Sequence, residues 1–161
     1  MIVNIGIIVH SKTGTTLKFS EIIAARCLKK GHTVDLVRLK TDRPVDSGSV
    51  RQKKNFSLVN NPDCSGYDAI LAGGPVWAFS ASPIIIAFLE EQQSISGKKM
   101  LPFVTMGFPF TFMGGRQAIK LMSNTAAGKG AIVLPGKIVP KLFHNYQALM
   151  EKAAEEIANI L

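Results

Sequence analysis

The stretch "IIVHSKTGTTLKF", residues 7–19, leaves an apolar run, crosses a cluster of hydroxyls around Gly14 and enters a segment with helical spacing. Gly14 permits a positive φ or a close backbone approach, and Ser11, Thr13, Thr15 and Thr16 add hydroxyls to the free amides of a helix start. Such a loop at a helix N-terminus holds a phosphate. Helix capping is the plainer alternative, since Ser and Thr are preferred caps; one hydroxyl serves a cap, however, and this loop carries four in six residues. The loop also ends the first apolar run, and open α/β sheets bind ligands at the carboxyl ends of their strands.

Working outward, short runs rich in Ile, Val and Leu recur: "IVNIGIIV" (2–9), "TVDLVRL" (33–39), "AILAGG" (69–74), "MLPFVTM" (100–106) and "AIVLPGKIV" (131–139). Segments with helical spacing lie between most of them. Leu17, Phe19, Ile22, Ile23, Cys27 and Leu28 form one apolar face, and Ile84, Ile85, Phe88 and Leu89 a second. Ile119, Leu121 and Met122 give a third, and Leu149, Ala153, Ile157 and Leu161 a fourth. Strands apolar on both faces and alternating with helices predict an α/β three-layer sandwich around a parallel sheet. The second run alternates more, as an edge strand does. Residues 40–67, with Pro44, Gly48, Pro62 and Gly66, make a long excursion in which a short helix is expected.

The whole chain of 161 residues, 47% hydrophobic with mean hydropathy +0.20, suits one domain over 1–161. It opens on a strand-like run with no basic leader, and no apolar run approaches about 18 residues, so neither export nor membrane insertion is expected. Cys27 and Cys64 form no CxxC motif and read as reduced thiols in a cytoplasmic protein, with no metal site. Net charge is +8, of which residues 26–54 supply +6. A basic surface can attract nucleic acid, yet Phe56 is the only aromatic near these charges, so no base-stacking platform is visible and a solvated surface is the expectation.

Motif rules narrow the phosphate ligand. Lys12 precedes Gly14 where a Walker A loop needs GxxxxGK[ST], and the dinucleotide pattern GxGxxG is absent. A phosphorylated receiver domain would place acidic residues after the first and third strands; His10 and Ser11, then Gly74 and Pro75, stand there instead.

"SKTGTT" at 11–16 matches the [ST]-x-T-G-x-T phosphate loop of the flavodoxin family, and "YDAILAGGPVWAFSASPIIIAFLE" at 67–90 resembles its third strand, flavin-contacting loop and next helix. The likeness continues more weakly through "LPFVTMGFPFTFMGGRQAIKLM". It implies a five-stranded parallel sheet in order 2-1-3-4-5 with FMN at the switch point between strands one and three. By the same resemblance Ser11, Thr13, Gly14, Thr15 and Thr16 would hold the FMN phosphate, with Lys12 at the variable position pointing to solvent. Pro75, Val76, Trp77, Ala78 and Phe79 would line the isoalloxazine, with Trp77 either stacking on the ring or plugging the core beneath the loop. Met106, Gly107 and Phe108 would form the second flavin loop, followed by Gly114 and Gly115. No catalytic residue is assigned: His10 reads as a structural residue, His32 as exposed, and His144 nears a site only if its helix begins at the ligand edge.

Two departures bear on function. Electron-carrier flavodoxins are typically acidic, whereas this chain carries +8. They often have a glycine whose peptide flips to bond the flavin at N5; Trp77-Ala78-Phe79 has none, and a Cβ makes a positive-φ state costlier by roughly 1 kcal/mol. The resemblance implies an FMN protein of electron transfer, exchanging electrons with a redox partner protein. An FMN-dependent NAD(P)H:quinone-type oxidoreductase with a small acceptor is the alternative, in which Arg43, Arg51, Lys53 and Lys54 would meet a nicotinamide phosphate. A non-redox binding module that kept the fold is a third reading.

Overall fold

From Ile5 to Val9 every residue of β1 (Asn4–Val9) is buried, as a strand covered on both faces requires. The computed structural model describes residues 1–48 and 54–161. In it β1 lies between β2 (Thr33–Arg38) and β3 (Ala69–Trp77), parallel to both. The other face of β3 pairs in parallel with β5 (Lys99–Met106). The fifth apolar run is broken into β6 (Ile132–Val133) and β7 (Lys137–Pro140), both parallel to β5. Pro135 and Gly136 fall at the break, where a residue without an N–H cannot continue the ladder. The sheet order is therefore the expected 2-1-3-4-5 with an interrupted last strand. One element went unforeseen: β4 (Ser80–Ala81) folds back antiparallel on the end of β3.

Alternate residues of each strand feed two cores. Ile5, Ile7, Leu71 and Phe103 face α1 (Thr15–Lys29) and α4 (Tyr146–Ile160), packing on Phe19, Ile23, Met150 and Ile157. Ile8, Ile70, Ala72 and Val104 face α2 (Pro83–Glu91) and α3 (Gly115–Gly128), packing on Ile85, Phe88, Ala118 and Met122. Leu28 and Leu121, expected on apolar faces, are exposed instead. Leu28 lies nine residues after Phe19, half a turn around the helix at about 100° per residue. Leu121 stands about 100° around the helix from Met122, off the narrow stripe of Ala118, Met122 and Ala126.

The described parts of the 40–67 excursion pack onto the domain: Thr41 bridges Leu58, and Val45, Phe56 and Cys64 are buried in the α2–α3 core. The expected short helix begins at most with Ser47 and Gly48 and otherwise falls outside the described residues. Among the described residues no helix is long and apolar enough to cross a membrane.

Candidate functional site

The hydroxyl loop ends β1 and starts α1, with Gly14 at φ 101° as the residue before the helix. Its hydroxyls divide into two kinds. Ser11 Oγ accepts the amides of Gly14 (3.2 Å) and Leu17 (3.1 Å), so it caps the helix from within the loop. Thr16 is buried, its Oγ1 2.7 Å from Thr105 Oγ1. Thr13 is exposed and Thr15 half-buried, and the amides of Thr15 and Thr16, at the helix start, have no intrahelical acceptor. Behind the loop, Arg38 donates to the Ser11 carbonyl through Nη2 (2.5 Å) and Nε (3.2 Å).

A cleft of about 290 Å³ opens in front of these groups. Lys12, Thr13, Thr15 and Thr16 of the hydroxyl loop line it, together with Pro75, Val76 and Trp77 from the end of β3 and Met106 and Gly107 from the end of β5. Ser11 and Gly14 stand behind this lining, and Ala78, Phe79 and Phe108 lie outside it, Phe79 stacked on Phe108 with ring centres 5.5 Å apart. Thr105 and Lys141 also line the cleft, and sequence reasoning missed both. Thr105 is the last residue but one of β5 and Lys141 directly follows β7, so both stand at the carboxyl edge, which is the signal that could have found them. Lys12 does not simply reach into solvent: its Nζ sits 5.9 Å from the centre of the Trp77 ring.

Trp77 lines the cleft and also packs against the α2–α3 core. Beneath it the buried His10 ring stands edge-on, centres 4.9 Å apart, with Nδ1 2.5 Å from Ser82 Oγ. Burial first, then the Arg38 and Lys12 charges, push the His10 pKa down to about 4, so the imidazole is neutral at physiological pH. His32, expected to be exposed, is buried, and its Nδ1 accepts the Val3 amide at 3.2 Å, tying the chain before β1 to the start of β2. His144 stands at the ligand edge, 2.8 Å from the Pro109 carbonyl.

The turn after Trp77 changes the expectation drawn from its missing glycine. Ala78 and Phe79 already hold φ of 46° and 64°, the two-residue hairpin geometry that favours Asn and Gly. The positive-φ state there is built in rather than avoided. Gly114, at φ 109°, explains what holds it: a Cβ there would lie 2.6 Å from Phe79 Cα and 2.8 Å from Val76 Cγ1. The two loops touch backbone to backbone, which only glycine allows.

A larger hollow, about 430 Å³, lies at the opposite edge among Asn4, Thr33, Asp35, Asp63 and Tyr67. Its carboxylates would repel a phosphate, and Tyr67 already donates to Asp35 at 2.9 Å. The smaller cleft has no carboxylate in its lining and brings hydroxyls and two lysines together with flat or apolar side chains. Those residues fit a ligand with an anionic end and an aromatic end, and FMN is such a ligand.

Solved structures share the fold. A candidate flavoprotein from Bacteroides uniformis is 17% identical, with 99% of each chain covered and a TM-score of 0.71. Flavodoxin 2 from Bacillus cereus is 17% identical over 98% of this chain and 99% of its own, TM-score 0.67. A flavoprotein in complex with FMN from Lactobacillus acidophilus is 20% identical over 84% and 93%, TM-score 0.65. No curated protein matches the chain in sequence. The sequence profile described as Flavodoxin matches residues 46–145, more than half of the chain, and with the sheet order and the carboxyl-edge cleft this shows that the chain belongs to the flavodoxin family.

Proposed function

We propose that this chain binds FMN in the carboxyl-edge cleft and serves in electron transfer with a partner protein. The observation that carries the reading is one cleft at the carboxyl edge lined by the hydroxyl loop, two lysines, Trp77 and apolar side chains, without a carboxylate. The Lactobacillus acidophilus neighbour, solved with FMN, supports the choice of ligand. FMN, when bound, supplies reversible one- and two-electron chemistry. The chain does the rest. The hydroxyls of Thr13 and Thr15 and the amides of the first α1 turn hold the phosphate, and Lys12 and Lys141 offset its charge. Trp77 flanks the ring, while Pro75, Val76 and Met106 exclude water from it. Neutral His10 supports Trp77 from below without adding charge. No side chain is required to move a proton. Free thiols at Cys27 and Cys64, both buried with pKa raised to about 11 by burial, support a reducing, cytoplasmic setting.

The reductase alternative is less favoured. Of the cations assigned to a nicotinamide phosphate, Arg43 pairs with Asp42 and Lys54 with Glu91, while Arg51 and Lys53 lie outside the described residues. The test is an anaerobic visible spectrum of the FMN-loaded protein before and after NADPH, then NADH. The expected result is a flavin that stays oxidised until chemically reduced. Rapid bleaching by either nucleotide would make the chain a reductase.

A further inference from the structure

We infer that the rim of the cleft is a docking surface for a redox partner whose matching face is apolar at its centre and acidic around it. The inference rests on the electron-transfer reading but is drawn from residues outside the cleft lining. Phe79, Phe108, Phe110, Phe112 and Leu142 are each about half exposed, and Phe143 is 87% exposed. They sit on three loops that are fastened together. Phe79 stacks on Phe108 and Phe110 on Phe112. Leu142 donates its amide to the Gly107 carbonyl (3.1 Å), His144 meets the Pro109 carbonyl, and Gly114 packs on Phe79. Phe143, at φ 64°, is the most exposed of the six. A soluble chain rarely leaves so many large apolar side chains together in water unless they meet a partner.

Charge selects the partner. Between Glu91 and Glu151 the sequence has no acidic residue and seven Lys or Arg, and this interval supplies two of the three loops. Lys12, 5.9 Å from the Trp77 ring, Arg116 in the first turn of α3 and Lys141 next to Leu142 form no ion pair among the described residues. Such a rim steers acidic surfaces toward the cleft and repels basic ones.

The test uses FMN-loaded protein reduced with dithionite and freed of reductant, mixed in a stopped flow with an acidic b-type or a basic c-type cytochrome. Each ferric haem takes one electron and becomes ferrous, so a fully reduced FMN reduces two haems and releases its protons to water. The sign of the salt dependence is read, because it does not depend on driving force. The acidic cytochrome should react about tenfold more slowly when ionic strength rises from about 20 to about 500 mM, and the basic one should react faster. Phe143→Asn and Arg116→Glu should each slow the acidic reaction at low salt by about threefold or more, with FMN affinity unchanged. Both variants should fold, since Asn tolerates positive φ and Glu suits the first turn of α3. A flat or reversed salt dependence, or variants without effect, overturns the proposal. Co-sedimentation with vesicles containing phosphatidylserine alongside a flat salt dependence would assign the rim to a membrane, and a stable dimer that buries Phe143 would assign it to a second copy. Failure to retain FMN would remove the functional reading and this one together, whereas FMN retention with the wrong salt sign removes this one alone.

Discussion

At the amino edge of the sheet Asp63 and Asp68 accept amide protons of the chain itself, Asp68 from Asn4 at 2.8 Å and Asp63 from Ser65 at 3.0 Å. At the carboxyl edge the first-turn amides of α1, Thr13, Thr15, Lys12 and Lys141 face a cleft instead. The same parallel sheet makes both edges, because every helix N-terminus follows the carboxyl end of a strand and brings its donors and partial positive charge to that side. One edge is closed on itself and the other is left in want of an anion. The larger hollow is at the closed edge, so size alone would have misplaced the site.

The sharpest way to break this contrast is to substitute a glycine at each edge. Gly114→Ala should destabilise by about 3 kcal/mol, combining a positive φ with a collision against Phe79 backbone, as read by urea unfolding. Gly66→Ala, with nothing within 4 Å of its Cβ, should stay within about 0.5 kcal/mol. Equal effects would mean that the two cleft loops are not locked together.

Acid should separate the edges as well. The His10 pKa is lower in the folded chain, about 4, than the ordinary 6.5, so between these values the unfolded chain binds the extra proton. Stability is therefore lost as pH falls from 6.5 toward 4, by about 3 kcal/mol, and His10→Gln should flatten that slope. Asp63, held below the usual carboxylate range chiefly by the Ser65 amide, stabilises above that range and loses its contribution only as pH falls through its own lowered pKa. A stability curve level from pH 6.5 to 4 would contradict the placement of His10.

Smaller effects sharpen the cleft itself. Thr15→Ala should weaken FMN by about 1–2 kcal/mol in a fluorescence titration, whereas Thr16→Ala should cost about 1 kcal/mol of stability by stranding Thr105 Oγ1. Asp35→Asn, at the other edge, should leave FMN affinity unchanged. Lys12→Gln should cost less than about 1 kcal/mol of FMN affinity, and the loss should vanish at high salt.

How much of this was legible follows from how local each feature is. The strand order and the hydroxyl loop could be read because apolar period and "SKTGTT" are contiguous in sequence. The division of labour within that loop could not, since Thr105 lies 89 residues from Thr16 and Arg38 lies 27 from Ser11. The β3–β4 turn was hidden because Ala78 and Phe79 occupy a geometry that turn rules give to Asn and Gly. His32 looked like a turn residue until Val3 supplied its partner. Phe108, Phe110 and Phe112 alternate as a strand would, yet they stand in a loop and face solvent.

The most direct test of the central claim compares FMN with riboflavin, which lacks only the phosphate, in a titration following flavin and Trp77 fluorescence. A hydroxyl loop built for an anion predicts one FMN per chain with both signals quenched, and riboflavin weaker by roughly thirtyfold, equivalent to about 2 kcal/mol. Equal affinity for the two, or no binding of FMN, would contradict a phosphate site at the carboxyl edge.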